Sequence, residues 1–213
     1  DKTICLWDVE TSKSLRAFNG HEHWIWCVNF SPLQSSNNNG NNSNNIGVIG
    51  GNGYTFCSGS LDNTVRIWDI ETTKQVTVFK GHEKAVGSVK YGSNELRNTI
   101  LSGADDHSVR LWDIRSCKQI QVFDGHKHWV SAVEYLPFSS NVICSGSLDN
   151  TIRFWDIRSN KNELYVIKGD DKEDNEIYSL KFISLKKKEK DNGKGNDFNL
   201  CFGSRTGHIR VWG

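Results

Sequence analysis

Apolar and polar residues alternate in short runs along most of this chain, and each run soon stops at a cluster of Asp, Asn, Ser or Gly. Val65 and Ile67 alternate with Arg66, Val109 and Leu111 with Arg110, and Ile152 and Phe154 with Arg153. Period two is the mark of a strand with two distinct faces. Leu61-Asp62-Asn63, Asp105-Asp106-His107 and Leu148-Asp149-Asn150 stand before these runs. They predict tight turns, because Asp and Asn tolerate turn conformations and bond their own backbone. A further strand follows each run, as in Gln75–Phe79 and Gln119–Phe123.

The runs recur in register. Cys57 to Asp69 matches Leu101 to Asp113 and Cys144 to Asp156 almost residue for residue. Trp-Asp closes a run at Trp7, Trp68, Trp112 and Trp155, with an imperfect fifth copy at Trp212. Trp68, Trp112 and Trp155 lie 44 and 43 residues apart. A second marker, Gly-His at His21, His82 and His126, keeps step with the first, and Asp170 falls where a fourth His would stand. Two markers in one register, at a period of roughly 40–45 residues, read as the unit of a four-stranded blade. Over essentially its whole length the chain resembles the WD40-repeat family.

The resemblance implies an all-β, partial WD40 β-propeller in residues 1–213, with three strands of each unit before Trp-Asp and one after it. The units run 1–20 (partial), 21–80, 81–124, 125–168 and 169–213, giving three full four-stranded blades and partial blades at both ends. Propellers of this family close by letting the two chain ends share one blade. Here both ends bring a Trp-bearing third strand that competes for one place, so an open or strained arc with adhesive edge strands is expected. The chain has no Met, begins at Asp1 inside a turn and stops at Gly213 just after a tryptophan, which suggests an excerpt of a longer chain or a truncated copy.

Two stretches break the period. Residues 34–53 carry almost no apolar side chain before Ile46, and residues 186–197 are rich in Lys, Asp, Asn and Gly. Both read as low-complexity loops between the first two strands of their blades, too polar to offset the entropy of ordering. Acidic residues interrupt the lysines and no aromatic is interleaved, so a solvated loop is favoured over a nucleic-acid or acidic-lipid contact. With a net charge of +1, no global field drives binding to polyanions. No apolar stretch is long enough for a membrane span and no signal peptide heads the chain. An intracellular protein, cytoplasmic or nuclear, is expected, with protein or peptide partners, no specific nucleic acid and no membrane. Six cysteines raise the question of disulfides or zinc. Register places Cys57 and Cys144 in the slot of Leu101, and Cys27 in that of Ser88, Ala132 and Ser179, so they read as small core residues. Cys5 and Cys117 stand alone, and no CxxC spacing is present. Neither cofactor nor metal is expected, and the oligomeric state is left open.

Each regular unit holds the ingredients of a hydrolytic triad: His21, Ser58 and Asp62; His82, Ser102 and Asp106; His126, Ser145 and Asp149. Three equivalent sets favour structure over catalysis. The resemblance implies that each set joins Trp68, Trp112 or Trp155 in a buried hydrogen-bond tetrad tying the outer loop to the two central strands. In the last unit Asp170 replaces His, Phe202 replaces Ser and Thr206 replaces Asp. That blade is expected to be the least rigid.

Function then falls to the surface. In the family resembled, peptide contacts around the central channel come from the start of each innermost strand and from the residue before the turn Asp. By register these are Trp24 and Trp26, Ala85 and Gly87, Trp129 and Ser131, Glu176 and Tyr178, with Leu61, Asp105, Leu148 and Arg205. The aromatic and apolar members, with acidic Asp105 and Glu176, suit a peptide carrying Arg or Lys among apolar residues. Alternatively, some of these tryptophans pack between blades. The leading expectation is a non-catalytic protein-interaction scaffold. A second follows from Trp-Asp-Ile-Arg, which ends at Arg115 and Arg158 and resembles the WDxR motif of substrate receptors of cullin-4 ubiquitin ligases. A regulatory module of a larger enzyme and a degenerate, poorly folding copy are the remaining alternatives.

Overall fold

The computed structural model describes residues 1–32, 54–159, 163–169, 176–185 and 197–212. The low-complexity segments 34–53 and 186–196, and Asp170, lie outside the described residues. The last residue assigned to the second loop, Asp197, opens a strand.

The described regular structure is β apart from 3-10 geometry at Pro32 and a 3-10 turn at Asn94–Leu96. A hairpin of β1 (Thr3–Asp8) and β2 (Lys13–Asn19) comes first. Three antiparallel four-stranded sheets follow. They are β3 (Ile25–Phe30), β4 (Thr55–Ser60), β5 (Thr64–Asp69) and β6 (Gln75–Lys80); β7 (Val86–Tyr91), β8 (Thr99–Ala104), β9 (Val109–Asp113) and β10 (Lys118–Phe123); and β11 (Val130–Tyr135), β12 (Val142–Ser147), β13 (Thr151–Asp156) and β14 (Glu163–Lys168). A three-stranded sheet, β15 (Ile177–Leu185), β16 (Asp197–Ser204) and β17 (Ile209–Trp212), ends the series. We number these blades 1 to 5. Strands pair in sequence order within each, and the innermost strands β3, β7, β11 and β15 pack side by side. The architecture is a propeller-like arc.

The predicted turns form as their residues dictate. Asn63, His107 and Asn150 take left-handed backbone conformations, with φ of 66°, 69° and 63°. Each donates its N–H at 3.2 Å to the carbonyl three residues back, on Ser60, Ala104 and Ser147. Asn reaches this conformation at low cost, which explains its place at the third turn position.

The core lies in the seams between blades. Cys57, Val65, Ile67 and Phe79 of blade 2 meet Val86, Val89, Ile100 and Trp112 of blade 3. Leu101, Val109, Leu111 and Phe123 of blade 3 meet Val130, Val133, Ile143 and Trp155 of blade 4. Cys144, Ile152 and Phe154 of blade 4 meet Ile177, Leu180, Leu200 and Phe202 of blade 5. Phe18 of β2 packs on Phe56 and Trp68, closing the seam between blades 1 and 2. One face of each central strand thus serves one seam and the other face the next. Each fully buried Val, Ile or Leu contributes about 1.5–3 kcal/mol.

Among the described residues no core cluster joins blade 1 to blade 5, so the arc is open. Large apolar side chains stay exposed at both limits: Trp7, Val28 and Phe30 at one, Ile209, Val211 and Trp212 at the other. No described helix is long and apolar enough to cross a membrane.

Candidate functional site

The three Ser, His and Asp sets are each brought together with their tryptophan. In blade 2 the Trp68 indole donates to Ser58 Oγ at 2.8 Å, Ser58 Oγ meets His21 Nε2 at 2.7 Å, and His21 Nδ1 meets Asp62 Oδ2 at 2.7 Å. Blades 3 and 4 repeat the chain through Trp112, Ser102, His82 and Asp106, and through Trp155, Ser145, His126 and Asp149, with every link between 2.7 and 2.9 Å. One proton pattern satisfies all four groups: Ser donates to Nε2 of a neutral imidazole, which donates from Nδ1 to the carboxylate. Burial holds His21 and His82 below the ordinary imidazole value, and the facing aspartates only partly offset it. Burial works against the charge on Asp62, but hydrogen bonds from Thr64, the Glu22 N–H and His21 outweigh it and bring the carboxyl to about 2. Asp106 and Asp149 are lowered in the same way. Ser58, Ser102 and Ser145 are wholly inaccessible. No substrate carbonyl could reach them, so the arrangement ties loop to blade.

The network extends beyond the four residues of each tetrad to six. Thr64, Ser108 and Thr151 each donate a side-chain hydroxyl to the tetrad Asp at 2.5 to 2.7 Å. Each also accepts from the Nε of Arg66, Arg110 or Arg153. The signal was present, since both residue types recur in register. The Gly-His marker has a steric cause as well. A Cβ on Gly20, Gly81 or Gly125 would stand 2.9, 2.9 or 3.0 Å from the Cη2 of Trp68, Trp112 or Trp155.

Blade 5 has no such Trp-Ser-His-Asp chain among its described residues. Phe202 is packed in the seam, Thr206 bonds Ser204 and His208 locally, and Trp212 is half exposed.

The rim residues share one end of the arc for a definite reason. The residue before the turn Asp donates its N–H to the carbonyl at the start of the innermost strand: Leu61 to Trp24, Asp105 to Ala85, Leu148 to Trp129 and Arg205 to Glu176, at 2.8 to 3.1 Å. Both sets therefore stand side by side. Trp24, Trp26 and Tyr178 are 57, 51 and 49% exposed, and Arg205 is exposed. Leu61, Asp105 and Leu148 are half-buried.

Other members differ from expectation. Ala85 is buried, so it offers a partner no side-chain contact. Ser131 turns its hydroxyl to the carbonyls of Ile177 and Gly146 and is spent on the seam. Trp129 leans over Gly87, where a Cβ would come within 2.5 Å of Nε1, and meets Trp26 edge to face at 5.4 Å. Glu176 is engaged by the Tyr178 hydroxyl at 2.8 Å and by Arg205 at 3.0 Å. These two neighbours, Tyr178 first, hold its carboxyl below the usual range. Asp105 is freer, with Lys84 at 4.0 Å. The face is thus an aromatic ridge beside one available carboxylate.

Arg115 and Arg158 are exposed away from this face, and Arg158 folds back on Asp156 at 3.4 Å. Cys57 and Cys144 are buried in seams, and burial pushes both thiols well above their usual value. Among the described residues, no group of three or more His, Cys, Asp or Glu is placed to hold a metal ion.

Known proteins carry the same repeats. A beta subunit of a guanine nucleotide-binding protein from Zea mays is 36% identical over 92 residues, 43% of this chain and 21% of that protein. Eukaryotic translation initiation factor 3 subunit I from Aspergillus oryzae is 30% identical over 79 residues, 37% of this chain and 18% of the relative. Nuclear distribution protein PAC1 from Komagataella phaffii is 34% identical over 92 residues, 42% of this chain and 15% of the relative. Each match spans 21% or less of the relative's length. The sequence profile of the WD domain, G-beta repeat, matches residues 12–69, 73–113 and 117–156. With well over half the sequence inside that profile, and the described residues of each matched segment supplying the outer strand of one blade and the three inner strands of the next, the chain belongs to the WD40-repeat family.

Proposed function

We propose that this protein is a non-catalytic interaction scaffold that takes up an extended segment of a protein partner across the channel rim. The observation that carries the reading is the exposure of Trp24, Trp26 and Tyr178 on one face, while Trp68, Trp112 and Trp155 are buried in tetrads. Aromatic side chains at this exposure hold large contact area at low entropic cost and dominate interface energies. The carboxylate of Asp105, held only loosely by Lys84 at 4.0 Å, suits a partner with Arg or Lys among apolar residues. The burial of all three tetrad serines supports a non-catalytic role. Two of the relatives bear the name of a subunit, which supports an assembly component, and the six free cysteines fit a reducing intracellular compartment.

The test is affinity isolation of the full protein and of a Trp24→Ala, Trp26→Ala variant from the same extract. The variant is expected to lose a defined partner while its thermal midpoint holds. An identical partner list from both proteins would sink the rim reading.

A further inference from the structure

Trp129 has an unusual seat. Its indole lies across blade 3, where an added Cβ on Gly87 would stand 2.5 Å from Nε1 and 2.9 Å from Cε2 and Cζ2. Its Nε1 is buried and has no acceptor, whereas the indoles of Trp68, Trp112 and Trp155 each donate to a serine at 2.8 Å. A buried donor without a partner carries a standing penalty, because water would have satisfied it. Packing alone holds the ring down: the backbone of Gly87 lies beneath, and Trp26 meets it at an interplanar angle of 89°. The edge of Trp129 is thus dry and unsatisfied, beside a half-exposed Trp26.

We propose that Trp129 is a displaceable cover over Gly87, and that a partner polypeptide lifts it by presenting a backbone carbonyl to the indole N–H. This deepens the rim reading and rests on it. No acceptor can reach Nε1 while the ring is seated, since Gly87 fills that side, so the ring must swing before the bond can form. Swinging uncovers a stretch of blade 3 that has no side chain beyond the methyl of Ala85, and an extended chain can approach it closely. Asp105 stands on the same blade, its N–H bonded to the Ala85 carbonyl at 2.9 Å, and supplies a counter-charge for a cationic side chain of that segment. The closed form then competes with the partner, and the observed affinity is reduced by the fraction of molecules that are open.

The test uses the full chain with 15N-labelled tryptophan, the Trp129 indole signal being identified by its loss in Trp129→Phe. In the free protein this N–H is expected to exchange with solvent at least tenfold more slowly than those of Trp24 and Trp26. In Gly87→Ala, whose new methyl occupies the seat, it should exchange as fast as they do. The peptide acetyl-Leu-Arg-Leu-amide should move the wild-type signal toward the positions of the serine-bonded indoles, and should bind Gly87→Ala roughly tenfold more tightly because the cover is already off. Trp129→Phe keeps a ring without the donor. It should bind the peptide roughly tenfold more weakly and melt at a higher temperature, which preserves the test should Gly87→Ala fail to fold. Fast exchange of Trp129 in the free wild type overturns the cover. Equal peptide binding by wild type and either variant, or binding by none, overturns the carbonyl assignment. The capture experiment on Trp24 and Trp26 separates these failures from failure of the rim reading itself.

Discussion

Replacing Ser102 with Ala removes one oxygen from the hub of the blade 3 tetrad, and the structure sets the cost. Ser102 is fully buried, accepts from Trp112 Nε1 at 2.8 Å and bonds His82 Nε2 at 2.7 Å. Alanine leaves an indole donor and an imidazole acceptor facing a space without water. Each buried orphan costs about 1–3 kcal/mol, while the void left by one oxygen adds little. The expected loss is about 2–6 kcal/mol, large against the stability of a typical domain. Urea unfolding followed by tryptophan fluorescence reads the total, and amide exchange in β8 and β9 reads blade 3 by itself. Thr206→Ala, at the equivalent of a tetrad position in blade 5, serves as comparison and should cost less than about 1 kcal/mol, because Thr206 is exposed. A double variant with Trp112→Phe should cost less than the two singles together, since the second change removes a donor that the first had orphaned. A Ser102→Ala cost below about 1 kcal/mol, or strict additivity in the cycle, would refute the view that these bonds hold the blade.

Other outcomes follow from the same geometry. Stability should fall in two stages on acidification. His21 and His82 have folded values below the usual 6.5, so below that pH the unfolded chain takes up protons that the fold resists, and stability declines. The second stage begins below 3.8, where the tetrad aspartates titrate in the unfolded chain, and runs down through the Asp62 value of about 2. A pH series of thermal midpoints checks both, and a flat profile between pH 7 and 5 would contradict the first. Gly81→Ala should lower stability by about 1–3 kcal/mol in urea unfolding, because its methyl would meet Trp112 at 2.9 Å and Arg110 at 2.8 Å. Arg158→Ala should leave the thermal midpoint unchanged in a melting scan, since the side chain is 69% exposed and pairs with its own turn.

The blades were legible because their chemistry repeats: a slot filled by His, Ser, Asp or Trp in three units is visible without any structure. The arginine extension of each tetrad was equally periodic but was masked by a local rule. Alternation assigns Arg66 to one face of β5 without saying whether that face is wet. The strand is in fact buried throughout, and Arg66 is admitted because Gly20 O, Gln75 and Asp62 accept its donors at 2.7, 2.6 and 3.2 Å. Rim depth was illegible for a related reason. Ala85 and Trp24 occupy the same register position, yet one is buried and the other 57% exposed, and what separates them is the neighbouring blade.

That neighbour dependence explains why identical local sequence gives two tryptophans different fates. Gly-His-x-His-Trp occurs at residues 20–24 and 125–129, and in both copies the Trp N–H donates to the preceding His Nδ1, at 2.8 and 2.9 Å. Trp129 can lie down because the innermost strand of the preceding blade presents Gly87. Before Trp24 comes the two-stranded β1–β2, which contributes no innermost strand, so nothing equivalent receives that ring. By register Ala85 stands to Trp26 as Trp129 stands to Gly87, with the small and large partners exchanged. The rim is therefore shaped by pairs of positions on adjacent blades, one filling what the other leaves empty. A tryptophan there stays exposed where its counterpart is absent, and is held down where its counterpart is glycine.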